Sequence, residues 1–194
     1  MDRDQGRTLI SGSMTDLQPR LSTALILRLL RGEPPEMAAL QCVLEMAPAY
    51  YQSMTGAPPC GALAQSMFTA LPPDKTYDDK FVWGLYAGDA MIGCADVIRG
   101  YPVRDKALIG LLLLAEPWQR RGLGRAFATL VEHAIVAWNE ISTLRLGVAV
   151  SNPGAHIFWR KMGYLETGET KRAGPDVMVD TIIMEKRASR SSHV

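Results

Sequence analysis

An apolar segment followed by a turn with two closely spaced glycines constrains the fold more than any other part of the chain. The leucine-rich run within residues 107–115 is typical of a central strand that is buried on both faces. The turn Gln119–Gly124 follows it, and residues 122–138 then carry apolar side chains at helical spacing. The segment therefore predicts a strand, a turn and a helix, an order that gathers unpaired backbone N–H groups and the positive end of a helix dipole at one point.

The chemistry of this turn favours a phosphate ligand. Gly122 and Gly124 allow an anion to approach the backbone closely, and charge-assisted contacts are available from three arginines, Arg120, Arg121 and Arg125. The turn lacks the Gly-Lys-Ser/Thr ending of a Walker A loop, and Phe127 stands where a Rossmann fingerprint has a third small residue. Two alternatives stay open: an unrelated α/β protein that binds nucleotide phosphates, and a helix start whose glycines serve only tight packing.

Composition and charge restrict the class of protein. With 194 residues, 47% of them hydrophobic and 21% charged, the chain predicts one globular domain, which we place at residues 21–186. A net charge of +1 gives no basic field for nucleic acid or an anionic membrane. The longest apolar run, Ile109–Ala115, is far too short to span a bilayer. Residues 1–20 have no secretory signal pattern, and they are expected, like residues 187–194, to form a frayed tail.

The cysteines give no sign of a disulfide framework or a metal site. Cys42, Cys60 and Cys94 are odd in number, far apart and without any C-x-x-C spacing. We therefore predict no metal and a cytoplasmic location, where thiols stay reduced.

The remaining segments predict a mixed α/β (or α+β) fold with about six or seven strands and about four helices. Strands are expected over residues 23–30 (with a helix as the alternative), 80–87, 90–99, 107–115, 144–150, 165–171 and 177–185. Helices are expected from Pro34 onward and over residues 63–71, 122–138 and 153–162. Gly88-Asp89 is suited to a two-residue hairpin turn.

Two segments together resemble the GNAT superfamily of acyl-CoA N-acyltransferases. Gln119-x-x-Gly122-x-Gly124 is similar to that family's Q/R-x-x-G-x-G/A signature. The segment Ser151–Tyr164 resembles the family's N-x-x-A-x-x-x-Y-x-x-x-G-F block. The order of the predicted strands and helices between Thr23 and Glu185 is similar as well, whereas the two tails are not covered.

The resemblance implies a sheet that is splayed at its centre and takes acetyl-CoA as cosubstrate. It implies that the strand before the turn binds the pantetheine arm through backbone groups, that the turn holds the pyrophosphate, and that the later block adds a hydrogen bond and aromatic walls. The cofactor-binding residues that follow are Leu112, Leu113, Leu114, Gln119, Arg120, Arg121, Gly122, Leu123, Gly124, Arg125, Asn152, Phe158 and Trp159. For Asn152 an N-cap role is the alternative, and for Trp159 a place in the core.

The sequence departs from the family at two positions that carry catalysis in many members. Trp159 stands where a tyrosine protonates the leaving thiolate, and an indole cannot act as an acid near neutral pH. Gly147 stands where some members have a glutamate base. We therefore take Asp96 and Glu116 as candidate bases and Tyr101 as candidate proton donor, with solvated or ion-paired positions as the alternative for both carboxylates.

These observations predict an N-acetyltransferase that moves an acetyl group from acetyl-CoA to a primary amine by direct attack in a ternary complex. The acceptor is expected over residues 46–80 and is expected to be a small molecule, because no acidic run suited to a basic peptide occurs. The alternative is a catalytically degenerate module that binds acyl-CoA as a sensor or interaction domain. Neither nucleic acid nor a membrane is expected as a partner, and a homodimer is compatible with the resemblance.

Overall fold

The computed structural model describes residues 24–172 and 179–189. Its strands are β1 (Leu25–Leu29), β2 (Lys80–Ala87), β3 (Ala90–Arg99), β4 (Lys106–Leu114), β5 (Thr143–Ala149), β6 (Leu165–Lys171) and β7 (Thr181–Arg187). Its α-helices are α1 (Pro34–Glu45), α2 (Pro48–Thr55), α3 (Leu63–Thr69), α4 (Leu123–Val136) and α5 (Pro153–Lys161). Predictions for the residues before 24, after 189 and between 173 and 178 lie outside the described residues.

The described strands form one seven-stranded sheet in the order β1-β2-β3-β4-β5-β7-β6, which confirms the predicted mixed α/β fold. β4 and β5 pair in parallel, and the other neighbouring pairs are antiparallel. Residues 25–29 form a strand rather than the alternative helix, because β1 pairs with β2 along its length. The hairpin between β2 and β3 turns at Gly88-Asp89 as predicted, with Gly88 at a φ of 61°.

The helix count was predicted one too low among the described residues. The missed helix is α2, which begins at Pro48 and ends before Gly56 in the left-handed conformation. None of its residues is buried, so it lacks the apolar stripe from which an amphipathic helix is recognised.

The sheet opens at its centre, between β4 and β5. The two strands pair from Lys106 and Thr143 as far as Ile109 and Leu146, after which β4 continues to Leu114 and β5 to Ala149 without pairing to each other. Gly110 lies at the start of the opening as a bulge, because Asp96 of β3 pairs with Leu111 while the next residue of β3 pairs with Ile109. The splay implied by the family resemblance is therefore present.

A shared carboxylate holds the closed end of this opening. Glu185 of β7 accepts hydrogen bonds of 2.7 Å from Lys106 of β4 and from Arg145 of β5. Burial raises the pKa of the Glu185 carboxyl, but the hydrogen bonds and charges of these two cations outweigh that effect, and the pKa lies below its ordinary value. β4 and β5 are thus fixed together at one end and separate at the other.

Two hydrophobic clusters cover the faces of the sheet. One packs α4 and α5 against one face, and the other packs α1 and α3 against the opposite face. Leu113 and Leu114 are buried, but Leu111 and Leu112 are only partly buried and Gly110 is exposed. The prediction that this run is buried on both faces is therefore wrong at residues 110–112, because the splay exposes the edge of β4 there.

Candidate active site

A cavity of about 950 Å³ occupies the opening between β4 and β5. Its walls are residues 109–114 of β4 and 146–149 of β5, and it continues to the turn before α4 at one side and to α2 at the other. Residues 112–114 line it along the edge of β4 that has lost its β5 partner. The backbone N–H and C=O groups that point to that edge are therefore available to a ligand, except the Leu114 C=O, which accepts a hydrogen bond from the Gln119 side-chain amide.

The turn before α4 presents unoccupied backbone donors to this cavity. Arg120 and Gly122 both have left-handed backbone conformations, with φ of 57° and 79°. Gly122 is the N-cap of α4 and has no side chain that could satisfy the first N–H groups of the helix. A concave run of donors with a positive helix end and nearby arginines can hold a phosphate.

Two contacts fix this turn in place. The Gln119 side-chain amide donates a hydrogen bond of 2.7 Å to the Leu114 carbonyl oxygen, which ties the turn to the end of β4. A Cβ atom at Gly124 would lie 3.5 Å from the Phe158 ring, so α5 packs closely on the first turn of α4. Gln119, Gly124 and Phe158 all line the cavity.

The structure brings most of the predicted cofactor residues to the cavity. The exceptions are Arg121, whose guanidinium lies 5.5 Å from the centre of the Trp118 ring, and Leu123, which is buried in the core below α4. The predicted residues that line the cavity are Leu112, Leu113, Leu114, Gln119, Arg120, Gly122, Gly124, Arg125, Asn152, Phe158 and Trp159.

Asn152 and Trp159 each have the structural position that was weighed as an alternative and also line the cavity. Asn152 Oδ1 accepts a hydrogen bond of 3.0 Å from the Ala155 N–H as the N-cap of α5, while its side-chain NH₂ has no partner in the described residues. Trp159 is buried in the core, edge-on to Phe158 and Tyr164 with ring centres 5.0 Å apart in both pairs. Since both residues also line the cavity, they can serve packing and a ligand together.

Glu116 is the candidate base that the structure places on the cavity wall. Its Oε1 accepts a hydrogen bond of 2.9 Å from the Ala49 N–H in the first turn of α2. Its own N–H donates to the Met46 carbonyl oxygen at 2.8 Å. The carboxylate thus holds α2 against the end of β4.

The other two catalytic candidates do not line the cavity. Asp96 binds Lys80 Nζ through both oxygens, at 2.9 and 3.0 Å, and the Lys80 side chain is almost completely buried. Burial raises the pKa of the Asp96 carboxyl above its ordinary value although Lys80 pulls that pKa down. Tyr101 lies in the loop before β4, where its N–H donates to the Lys106 carbonyl oxygen. That is the closed end of the β4–β5 pair, opposite to the cavity.

The cavity residues on α2 lie within residues 46–80, where the acceptor was expected, but the sequence assigned a catalytic role to none of them; they are Ala49, Tyr50, Ser53 and Met54. Burial, with a contribution from Cys94, raises the pKa of Tyr50 to about 12, so its hydroxyl stays protonated at neutral pH. That hydroxyl makes no hydrogen bond within the described residues. Pro48 could have indicated that a helix begins here, because proline is favoured in the first turn of a helix.

The position of the family's glutamate base is closely packed here. A Cβ atom at Gly147 would lie 2.6 Å from Thr181 Cγ2, so a side chain at this position would require the Thr181 side chain to move. Within residues 24–172 and 179–189 no cluster of three or more His, Cys, Asp or Glu side chains could hold a metal ion. In the same ranges no helix is long and apolar enough to cross a membrane.

Solved structures of acetyltransferases share this fold. An acetyltransferase from Thermus thermophilus is 23% identical, with a TM-score of 0.65 over 85% of this chain and 99% of that one. The ribosomal-protein-S18-alanine N-acetyltransferase from Escherichia coli is 20% identical, with a TM-score of 0.60 over 88% and 97%. Spermidine N-acetyltransferase from Vibrio cholerae, solved with CoA and spermine, is 16% identical, with a TM-score of 0.60 over 84% and 95%.

Comparison of the sequence with family models identifies the segments that line the cavity as part of a known family. No curated protein matches the chain. The model of the acetyltransferase (GNAT) family matches residues 47–164, a range that begins just before α2 and ends just after α5. That range covers more than half of the chain and contains the whole β4–turn–α4 segment. The chain therefore belongs to the GNAT family of acetyltransferases.

Proposed function

We propose that this protein is an N-acetyltransferase that moves the acetyl group of acetyl-CoA to a primary amine, with a small molecule as acceptor. The observation that carries the proposal is one continuous cavity that runs from the phosphate-binding turn, through the β4–β5 opening, to α2. A cosubstrate with phosphates at one end and a thioester at the other fits this sequence of environments. Family membership supports the reaction class, and the similar proteins named for ribosomal alanine and spermidine N-acetylation act on amines.

In this proposal the phosphates bind at the turn and the pantetheine arm lies along β4. The N–H groups at the start of α4 and the guanidinium groups of Arg120 and Arg125 balance the pyrophosphate charge. The backbone groups of residues 112–114 that point to the opening, other than the Leu114 C=O bound to Gln119, hydrogen-bond the pantetheine amides, and Asn152 adds its side-chain NH₂. Phe158 and Trp159 form the apolar wall beside the arm.

The reaction needs one proton acceptor and one proton donor on the cavity wall. Glu116 takes a proton from the acceptor ammonium, directly or through water. The neutral amine attacks the thioester carbonyl carbon, the C–N bond forms and the C–S bond breaks. The thiolate takes a proton from Tyr50, and the proton that the attacking nitrogen sheds restores the phenol. Tyr50 thereby replaces Tyr101 as proposed donor, and Asp96 drops out, because neither lies on the cavity.

Acetyl transfer is tested by incubating the purified full chain with acetyl-CoA and a panel of primary amines. We expect free CoA thiol to appear together with an acceptor that has gained the mass of one acetyl group. Saturable binding of acetyl-CoA without thiol release over the whole panel would contradict the proposal. That outcome would favour the alternative of an acyl-CoA-binding module without turnover. Trp159 and Gly147, which occupy the family's two catalytic positions, are the sequence features that support this alternative.

A further inference from the structure

The end of the cavity at α2 differs in chemistry from the end at the turn. We call it the acceptor end and define it by Tyr50, Ser53 and Met54 of α2 with Leu111 and Leu113 of β4. Leu113 belongs to the hydrophobic cluster under α1 and α3, and Leu111 and Tyr50 pack against that cluster. The acceptor end is therefore walled by apolar and aromatic side chains, with hydroxyl groups as its polar members.

The described residues place a single carboxylate on the cavity wall. That carboxylate belongs to Glu116, while the cations Arg120, Arg125 and Lys161 lie toward the turn and α5. One oxygen of Glu116 is already bound to the Ala49 N–H. Within the described part of the chain the wall can therefore pair with one ammonium group and has no second anion for another.

The Asp96 carboxylate, which lies behind Gly110, does not supply a second negative charge for an acceptor. A Cβ atom at Gly110 would lie 3.5 Å from Asp96 Oδ2, so Asp96 is close to the cavity without lining it. Both of its oxygens bind the buried Lys80 ammonium, which cancels its charge. An acceptor with a second ammonium would place that charge against Met54, Leu111 and Leu113, which offer it no partner, and even partial desolvation of an unpaired charge is unfavourable.

We propose that the acceptor is a monoamine with an apolar alkyl or arylalkyl body, and that diamines and polyamines are poor acceptors. The single ammonium lies at Glu116 and the apolar body packs on Tyr50, Met54 and Leu111. This inference rests on the proposed acetyl transfer and narrows its acceptor. It separates the chain from its structural relative named for spermidine, which acts on a polycation.

The first test compares acceptors that differ by one ammonium group. Hexylamine and hexamethylenediamine have the same carbon chain, and phenethylamine and spermidine extend the comparison to an aromatic monoamine and a polyamine. With saturating acetyl-CoA we expect the kcat/KM for CoA release to be at least tenfold higher for hexylamine than for the diamine. A diamine or spermidine that is acetylated as well as hexylamine would overturn the inference.

A binding measurement separates this inference from the proposed reaction. Hexylamine and hexamethylenediamine are titrated calorimetrically into the full chain saturated with CoA. Tighter binding of hexylamine supports the monoamine site even if no acetyl transfer is found, in which case only the proposed reaction has failed. Equal or tighter binding of the diamine, or no binding of hexylamine, contradicts the inference whatever the result of the CoA-release assay.

A charge introduced at Met54 tests the location of the site. Met54→Glu supplies the second carboxylate, and Met54→Gln is a neutral control of nearly the same size. We expect the glutamate variant to raise the ratio of diamine to hexylamine affinity at least fivefold over the glutamine variant. An unchanged ratio in two variants that both melt cooperatively would place the second ammonium away from Met54 and would contradict the site assigned here.

Discussion

The Gln119 side-chain amide donates a hydrogen bond of 2.7 Å to the Leu114 carbonyl oxygen. Its donor group therefore faces the protein backbone, and the first residue of the Gln119-x-x-Gly122-x-Gly124 motif anchors the turn to the end of β4. Glycines and backbone donors are then left to meet the ligand. The motif combines one residue that fixes a loop with two that leave room beside it.

This anchor predicts a loss of cofactor affinity when it is removed. Gln119→Ala should weaken CoA binding about tenfold, equivalent to about 1.4 kcal/mol, because the turn loses its tie to β4. The melting temperature should change little, since the side chain is exposed. Calorimetric titration with CoA measures the effect, and Gln65→Ala on the exposed side of α3 is the matched control. If Gln119→Ala bound CoA as tightly as Gln65→Ala, the anchoring role would be contradicted.

The arginines on the cavity wall predict an electrostatic effect on the same equilibrium. Arg120→Glu or Arg125→Glu should lower CoA affinity by well over tenfold, roughly more than 1.4 kcal/mol, and should reduce its salt dependence. Arg104→Glu makes the same charge change on an exposed loop residue and should leave the affinity near that of the wild type. A parallel drop in all three variants would mean that net charge alone, rather than a phosphate site, sets the affinity.

Charge reversal is a cleaner probe of the turn than Gly122→Glu. A Cβ atom at Gly122 meets nothing within 4 Å, so space is available for a side chain. The φ of 79° is left-handed, however, and costs a residue with a side chain about 1–2 kcal/mol. Loss of binding in Gly122→Glu would therefore mix backbone strain with electrostatic repulsion.

Tyr50 as proton donor predicts a catalytic defect without a binding defect. Tyr50→Phe should lower kcat by roughly ten- to a hundredfold and leave the Kd for acetyl-CoA unchanged, since only the hydroxyl is removed. Tyr51→Phe is the matched control, because Tyr51 follows directly on α2 but does not line the cavity. Since the pKa of Tyr50 is about 12, its ionisation should cause no loss of rate between about pH 6 and about pH 9. Equal kcat in both variants would assign the donor elsewhere.

Glu116 as base predicts a defect that depends on pH. Glu116→Gln keeps an oxygen for the Ala49 N–H and removes the charge, so α2 should stay in place while kcat/KM falls about a hundredfold at pH 7. The defect should shrink as pH rises toward the pKa of the free amine, about 10, because more acceptor is then already neutral. Steady-state rates across that range measure it. A loss that is constant with pH would argue for a structural rather than a proton-accepting role.

Glu185 predicts the pH dependence of folding stability. Its folded-state pKa is lowered, so its contribution is present above the unfolded-state pKa and is lost as pH falls through the folded-state pKa. Glu185→Gln should reduce the unfolding free energy by about 1–3 kcal/mol near pH 7. The difference from the wild type should begin to shrink as pH falls below the ordinary glutamate pKa of about 4.3, and it should vanish once pH is below the lowered folded-state pKa. Urea titrations at several pH values test this, and a difference that stays constant from about pH 7 to about pH 3 would contradict it.

The sequence predicted the elements with strong local patterns. Strands β2 and β3, their Gly88-Asp89 turn and the segment from β4 to α4 could be placed because short apolar runs, helical spacing and glycines mark them. The helix α2 could not, since none of its residues is buried and no apolar stripe exists to be read. The apolar run alone could not indicate the partial exposure of Leu111 and Leu112, because that exposure follows from the loss of β5 pairing, which only the family resemblance implied.

In the candidate site, too, the residues that could be predicted are those in local sequence motifs. Residues of the turn and α5 could be named because they lie in short motifs with a local mechanism. Tyr50 and Met54 reach the cavity through tertiary packing, which leaves no spacing signal in the chain. Asp96 was a reasonable candidate by strand position alone, but its partner Lys80 lies on the neighbouring strand β2, and pairing between strands cannot be read from one strand.

The central claim is that acetyl-CoA occupies the opening between β4 and β5, with its pantetheine arm along the free edge of β4. Calorimetric titration of the purified full chain with acetyl-CoA, CoA and ADP in parallel tests it most directly. We expect saturable binding of acetyl-CoA and CoA at least tenfold tighter than ADP, since ADP reaches only the turn. Equal affinity for ADP, or no binding of acetyl-CoA, would contradict the claim.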